Sequence, residues 1–149
     1  MKLTLALTAV LTLVVVAACG GEGGEGDEGA INVTLQEFSV LPEKDKVPAG
    51  SVVFEATNEG PEERHKLVFV KTGIAPADLP TNDDGSFKEE VHRADVIAWI
   101  EELAVGEVQS LTLNMTAGNY VLLCNVVAER EGETEAHFAK GMYTRFTVE

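Results

Sequence analysis

Positive charge is scarce in this chain. Lysine and arginine number 11 against 25 aspartates and glutamates, for a formal net charge of −14. That balance excludes nucleic acid as a partner and adsorption to an anionic bilayer. It permits steering of a basic partner protein, and it would equally serve to keep an exported protein soluble. Long hydrophobic runs are also missing. The one apolar run, residues 3–18, holds 16 residues, short of the roughly 20 that a membrane-spanning helix needs. No long amphipathic helix and no internal repeat can be read anywhere. Histidine and cysteine are rare as well, at 3 and 2 residues, so the position of each one matters.

What is present begins with an export signal. Met1-Lys2 is a minimal basic start, and the run over residues 3–18 suits the apolar core of a secretory leader. The leader ends Val16-Ala17-Ala18-Cys19-Gly20. Small residues just before a cysteine resemble the lipobox of bacterial lipoproteins, which implies cleavage before Cys19 and acylation of its thiol. Cleavage would remove one lysine and no acid, leaving the mature chain one unit more negative. Residues 20–29, all glycine and acids, cannot bury apolar surface and form a flexible tether. Ten such residues span about 17 Å. The expected organisation is a signal over 1–18, a lipid-anchored linker over 19–29 and one domain over 30–149. The protein is placed outside the cytoplasm, in the cell envelope, as a membrane-anchored monomer.

The domain reads as β-structure. Ile31, Val33 and Leu35 alternate with polar residues, as a half-buried strand does. Leu41-Pro42 breaks that strand, and residues 46–50 read as a turn. Val52, Phe54 and Ala56 give a second strand, closed by residues 57–61. A third begins at His65, with His65, Leu67 and Phe69 on one face and Lys66, Val68 and Val70 on the other. Residues 71–95 are irregular, with Pro76, Pro80 and Asn82-Asp83-Asp84-Gly85 marking loops. Residues 95–103, DVIAWIEEL, fit either a short helix or a strand. Leu111, Leu113 and Met115 alternate again, residues 120–124 form another strand, and residues 143–148 the last. The expectation is an all-β, antiparallel Greek-key sandwich of about seven to eight strands, with a long loop or short helix inserted around residues 72–106.

Within this scaffold one stretch carries chemistry. Residues 120–142, YVLLCNVVAEREGETEAHFAKGM, hold Cys124, His137 and Met142 in order. With Cys19 acylated, Cys124 has no mate, and a lone thiol outside the cytoplasm oxidises unless it is buried or metal-bound. Thiolate, imidazole and thioether form a soft donor set. A second imidazole would make it the His₂Cys trigonal site with a weak axial Met used by copper electron-transfer centres. His65 opens a strand after a turn, Cys124 ends a strand, and His137 and Met142 lie in the following loop. Loops cluster at the ends of a sandwich, so these residues can meet at one pole. Met115 reads as core, His92 as a solvated loop residue and Trp99 as a packing residue.

Thr57-Asn58-Glu59-Gly60 with His65, then Tyr120 to Asn125, then His137-Phe138-Ala139-Lys140-Gly141-Met142 resemble the cupredoxins, the family of plastocyanin, azurin and sulfocyanin. The resemblance covers about residues 31–149. It implies one type 1 copper held by His65, Cys124 and His137, with Met142 as the axial contact. Two departures stand out. Twelve residues separate Cys124 from His137, where the family usually has a handful, and they include Glu129, Glu131, Glu133 and Glu135. Lys66 follows the first histidine where many members carry asparagine, so support for the copper loops would come from Asn58 or Asn125.

The leading functional expectation is a membrane-tethered carrier of single electrons, not an enzyme. Its partners would be a redox protein such as a cytochrome c or an oxidase, with the acids of the long loop guiding a basic surface. Copper storage or delivery to an extracytoplasmic oxidase is the alternative. A self-contained copper enzyme needs a second site, for which only His92 remains. A metal-free binding module would leave the four-residue pattern to accident.

Overall fold

The computed structural model describes residues 29–93 and 95–149. The export signal, Cys19 and nearly all of the linker lie outside the described residues. Among the described residues there are eleven strands: β1 (Ile31–Gln36), β2 (Ser39–Pro42), β3 (Lys46–Val47), β4 (Gly50–Gly60), β5 (His65–Lys71), β6 (Val96–Leu103), β7 (Val108–Met115), β8 (Gly118–Leu123), β9 (Val127–Arg130), β10 (Glu133–Ala136) and β11 (Tyr143–Val148). A single 3₁₀ turn covers Pro76–Asp78. No helix among the described residues is long and apolar enough to cross a membrane.

Two sheets carry the fold, in the orders β2-β1-β4-β7 and β3-β11-β8-β5-β6. Their facing sides share one core, in which Phe54 packs against Phe69 and Phe146 with ring centroids 4.8 and 5.6 Å apart. Met115 belongs to that core. The sandwich expected from the alternation is therefore present, with three corrections. The strand count exceeds seven to eight. β2 and β3 are short edge pieces inside segments whose turn residues hid them, and β9–β10 is an exposed hairpin with no apolar alternation to read. The sheets are mixed rather than antiparallel, because β1 runs parallel to β4 and β3 parallel to β11. Finally, the ambiguous run over residues 95–103 is strand β6. It pairs with β5 along His65↔Leu103 and Val68↔Trp99, burying Ile100 and Leu103.

The irregular insertion does structural work of its own. Leu79 and Phe87 lie over the outer face of the second sheet, against Val68, Val70, Val121, Leu123 and Phe138. Strands β5 and β8 are thus buried on both faces. This accounts for their near-continuous apolar sequence, which strands with one wet face do not show.

Candidate metal centre

The site follows from one pairing. β5 and β8 are antiparallel neighbours, with Val68 opposite Leu123. The first residue of β5 therefore lies beside the residue that follows β8. His65 and Cys124 meet in this way across 59 positions of chain. His137 arrives on the turn between β10 and β11, where Lys140 and Met142 donate their N–H groups back to the His137 carbonyl, each at 3.1 Å. The Cys124 N–H donates to the Met142 carbonyl at 2.9 Å, which locks the two loops together.

The ligating atoms of His65, Cys124 and His137 lie within 4.8 Å of one another, and all three residues are wholly buried. The two Nδ1 atoms are 3.2 Å apart. Cys124 Sγ is 3.5 Å from Nδ1 of His137 and 3.9 Å from Nδ1 of His65. An ion bound at about 2.0 Å to nitrogen and about 2.3 Å to sulfur, as in zinc sites, sets about 3.5 Å between nitrogens and about 3.7 Å from nitrogen to sulfur in a trigonal plane. The observed separations lie within about 0.3 Å of those values, so the three donors fit a trigonal ion with little movement. Met142 is wholly buried in the cluster that contains Cys124. All four residues singled out in the sequence are brought to one pole of the sandwich.

Burial sets the protonation states. Desolvation, and then the neighbouring His137, pull the His65 imidazole down from 6.5 to about 4. Desolvation also lowers His137, partly countered by Glu63 and Glu135. Both rings are therefore neutral at neutral pH and have a lone pair to give. Desolvation pushes the Cys124 thiol up to about 11, against the backbone N–H groups of Val126 and Lys66, so without a metal the sulfur keeps its proton. The Lys66 N–H donates to Cys124 Sγ at 3.3 Å.

The two asparagines support the loops from opposite sides. Asn58 is wholly buried. Its Nδ2 donates to the carbonyls of Glu63 and Leu103, at 2.8 and 2.9 Å, and its Oδ1 accepts from the Gly60 N–H at 2.8 Å. It thereby fixes the turn that leads into His65. That turn needs Gly60, whose φ is +59° and where a Cβ would strike Val105 at 2.8 Å. Asn125, next to Cys124, accepts from the Phe87 N–H at 2.7 Å and donates to the Phe87 carbonyl at 2.9 Å. It ties the cysteine loop to the insertion over the outer face.

Three side chains depart from expectation. Trp99 is 51% exposed, held by Nε1–H to Glu101 and by the Lys66 ammonium 5.5 Å from its ring, so it is not a packing residue. His92 is half-buried and paired with Asp95 at 2.9 Å rather than solvated. Glu135 is ion-paired with Lys140 at 2.7 Å, unlike the exposed Glu129, Glu131 and Glu133. Two residues beside the centre escaped the sequence reading. Phe38 sets its ring edge-on to His137, with centroids 5.1 Å apart, and the Glu37 carboxylate lies behind His65. Neither carries a motif, because both lie in the short link between β1 and β2.

No protein-family model and no curated protein sequence matches the chain. Solved structures do. Dithionite-reduced auracyanin from the photosynthetic bacterium Roseiflexus castenholzii matches with a TM-score of 0.56 at 24% identity, over 81% of this chain and 99% of that one. Auracyanin B matches with a TM-score of 0.54 at 21% identity, over 80% and 88% of the two chains. Reduced rusticyanin matches with a TM-score of 0.53 at 20% identity, over 80% and 79%. The sandwich that gathers His65, Cys124, His137 and Met142 at one pole is a cupredoxin fold.

Proposed function

We propose that this protein is a blue copper electron carrier, in which His65, Cys124, His137 and Met142 would hold one copper. The observation that carries the reading is the three-donor cluster itself: two neutral imidazoles and one thiol, wholly buried, at separations a trigonal ion fills. Copper bound there would supply a one-electron couple. A soft thiolate with two imidazoles suits both oxidation states, and a thioether in place of a harder fourth ligand disfavours square-planar Cu(II).

The chain's own groups do the rest. Cys124 gives up its proton on binding. The Lys66 N–H then faces a thiolate, a stronger charge-assisted contact. Asn58 and Asn125 hold the loops in one geometry, which limits rearrangement between redox states. Burial keeps water from the sulfur and protects it from oxidation. The structural neighbours include auracyanin and rusticyanin determined in reduced form, which supports a redox role.

Acylation of Cys19 would anchor the carrier outside the cytoplasm, with the linker letting it swing between partners. Glu129, Glu131 and Glu133 on the exposed hairpin would guide a basic redox partner such as a cytochrome. No substrate is transformed, so the protein is proposed as a carrier rather than an enzyme. The test is the visible spectrum of the copper-loaded oxidised protein beside Cys124→Ser. An intense blue band, bleached reversibly by reductant and absent from the variant, is expected. A colourless protein that holds Cu(I) and yields it to an apo-acceptor would instead identify a delivery protein.

A further inference from the structure

The two buried imidazoles differ in what stands behind them. In each the Nδ1 faces the cavity and the Nε2 points away, buried and without a hydrogen-bond partner. Within 4 Å of the outer nitrogen, a carboxylate stands behind His65 and none behind His137. Oε1 of Glu37 is 3.8 Å from His65 Nε2. The Glu37 side chain is only 11% exposed, and its Oε2 is also buried without a partner. An orphan ring nitrogen therefore lies beside a carboxylate that still has an orphan oxygen. Leaving both unpaired inside the protein is costly.

The carboxylate is held where it is. Its Oε1 accepts the N–H of Glu62 at 2.9 Å and also that of Glu63, on the turn before β5. Arg130 of β9 pairs with the side chains of both Glu62 and Glu63, pinning that turn and offsetting their charges. Glu37 is thus the acid left facing the imidazole. Two backbone N–H groups aimed at one of its oxygens favour the ionised carboxylate.

We propose that Glu37 is a positioning residue of the metal centre: its carboxylate accepts the Nε2 proton of His65, so that the Nδ1 lone pair faces the ion, and its negative charge favours the oxidised metal. The tautomer of a metal-binding histidine is set by the bond its other nitrogen makes. Here that bond would come from a charge rather than from a neutral carbonyl. A buried negative charge a few ångströms from the centre stabilises Cu(II) over Cu(I). The second half of the proposal rests on the copper reading above. The first half stands without it.

The test uses the full domain in two states. In the metal-free, ¹⁵N-labelled protein, His65 is expected as the Nε2–H tautomer with slow proton exchange. Glu37→Ala should mix the tautomers and speed that exchange at least about tenfold, while His137 stays as it was. Glu37→Gln keeps an acceptor for the backbone N–H groups and removes the charge, so it should fold and keep the tautomer. In the copper-loaded protein, Glu37→Gln should raise the midpoint potential by about 59 mV or more, a tenfold change in relative affinity for the two oxidation states. Glu37→Asp should restore part of the shift. Unchanged His65 tautomer and exchange in a folded Glu37→Ala protein would overturn the positioning role. An unmoved potential in a blue Glu37→Gln protein would overturn the electrostatic one. A wild type that takes up no copper would sink the copper reading and leave the tautomer measurement to decide the rest.

Discussion

His65 and His137 face each other across 3.2 Å, and the protein holds them in two different ways. His65 is the first residue of a central strand, flanked by β6 and β8 and approached through a turn fixed by Asn58. Its outer nitrogen has a carboxylate behind it. His137 sits on a short turn closed by its own carbonyl, with the Phe38 ring edge-on to it and no acid within pairing distance of its Nε2. One ring is held by the sheet with a carboxylate close to its outer nitrogen, the other by a loop and by packing. A centre built this way has one rigid side and one side that takes its shape from a turn.

The strongest way to break this comparison is to remove the proposed ligands themselves. Changing either histidine to Ala should reduce copper affinity more than about 100-fold, beyond the 10–100-fold typical of losing an outer-shell partner. Competition with a chelator reads this directly. If one histidine proved dispensable, it would not be a ligand.

Acid separates the two rings next. A buried imidazole whose folded pKa lies below its unfolded value keeps its contribution above the unfolded pKa and loses it as pH falls. For His65 the window runs from 6.5 down to about 4. Urea unfolding of the metal-free protein at pH 7.5 and 4.5 should differ by about 2–3 kcal/mol from this ring. His65→Gln should remove most of that difference and His137→Gln less of it. Equal effects would erase the distinction drawn between them. Cys124 acts in the opposite direction. Its thiol is raised from 9.0 to about 11, so its contribution is present below 9 and lost as pH rises through that window.

The supporting asparagines give a smaller contrast. Asn58→Ala strands three backbone partners, two of them in buried hydrogen bonds, and should cost about 2–3 kcal/mol. Asn125→Ala lies at a part-buried edge and should cost about 1 kcal/mol. Thermal unfolding of the metal-free variants measures both. The smallest effect belongs to the hairpin. Neutralising Glu129, Glu131 and Glu133 should leave the visible spectrum unchanged and slow transfer from a basic partner only at low salt. Unchanged rates at low salt would remove those acids from partner recognition.

The strands and the clustered donors were legible for the same reason: both depend on residue type at a spacing. Alternation at Ile31, Val33 and Leu35 marked β1, and the order Cys124, His137, Met142 marked the site. What stayed hidden depends on neighbours brought by the fold. Trp99 looked like core because tryptophan usually is, but it lies opposite Val68 at the rim of an open cavity that it lines with Phe87 and Arg93 of the insertion. The hairpin β9–β10 turns through Glu131-Gly132, both with positive φ, and Glu-Gly is not a pair that announces such a turn. Glu37 acquires its meaning only because β1 places it beside the turn that precedes β5.

The central claim is that His65, Cys124 and His137 hold a single copper. X-ray absorption at the copper edge of the loaded protein tests it most directly. Two nitrogen scatterers at about 2.0 Å and one short sulfur at about 2.3 Å or less are expected, with the sulfur lost in Cys124→Ser. A shell of nitrogen and oxygen alone, unchanged by that substitution, would contradict it.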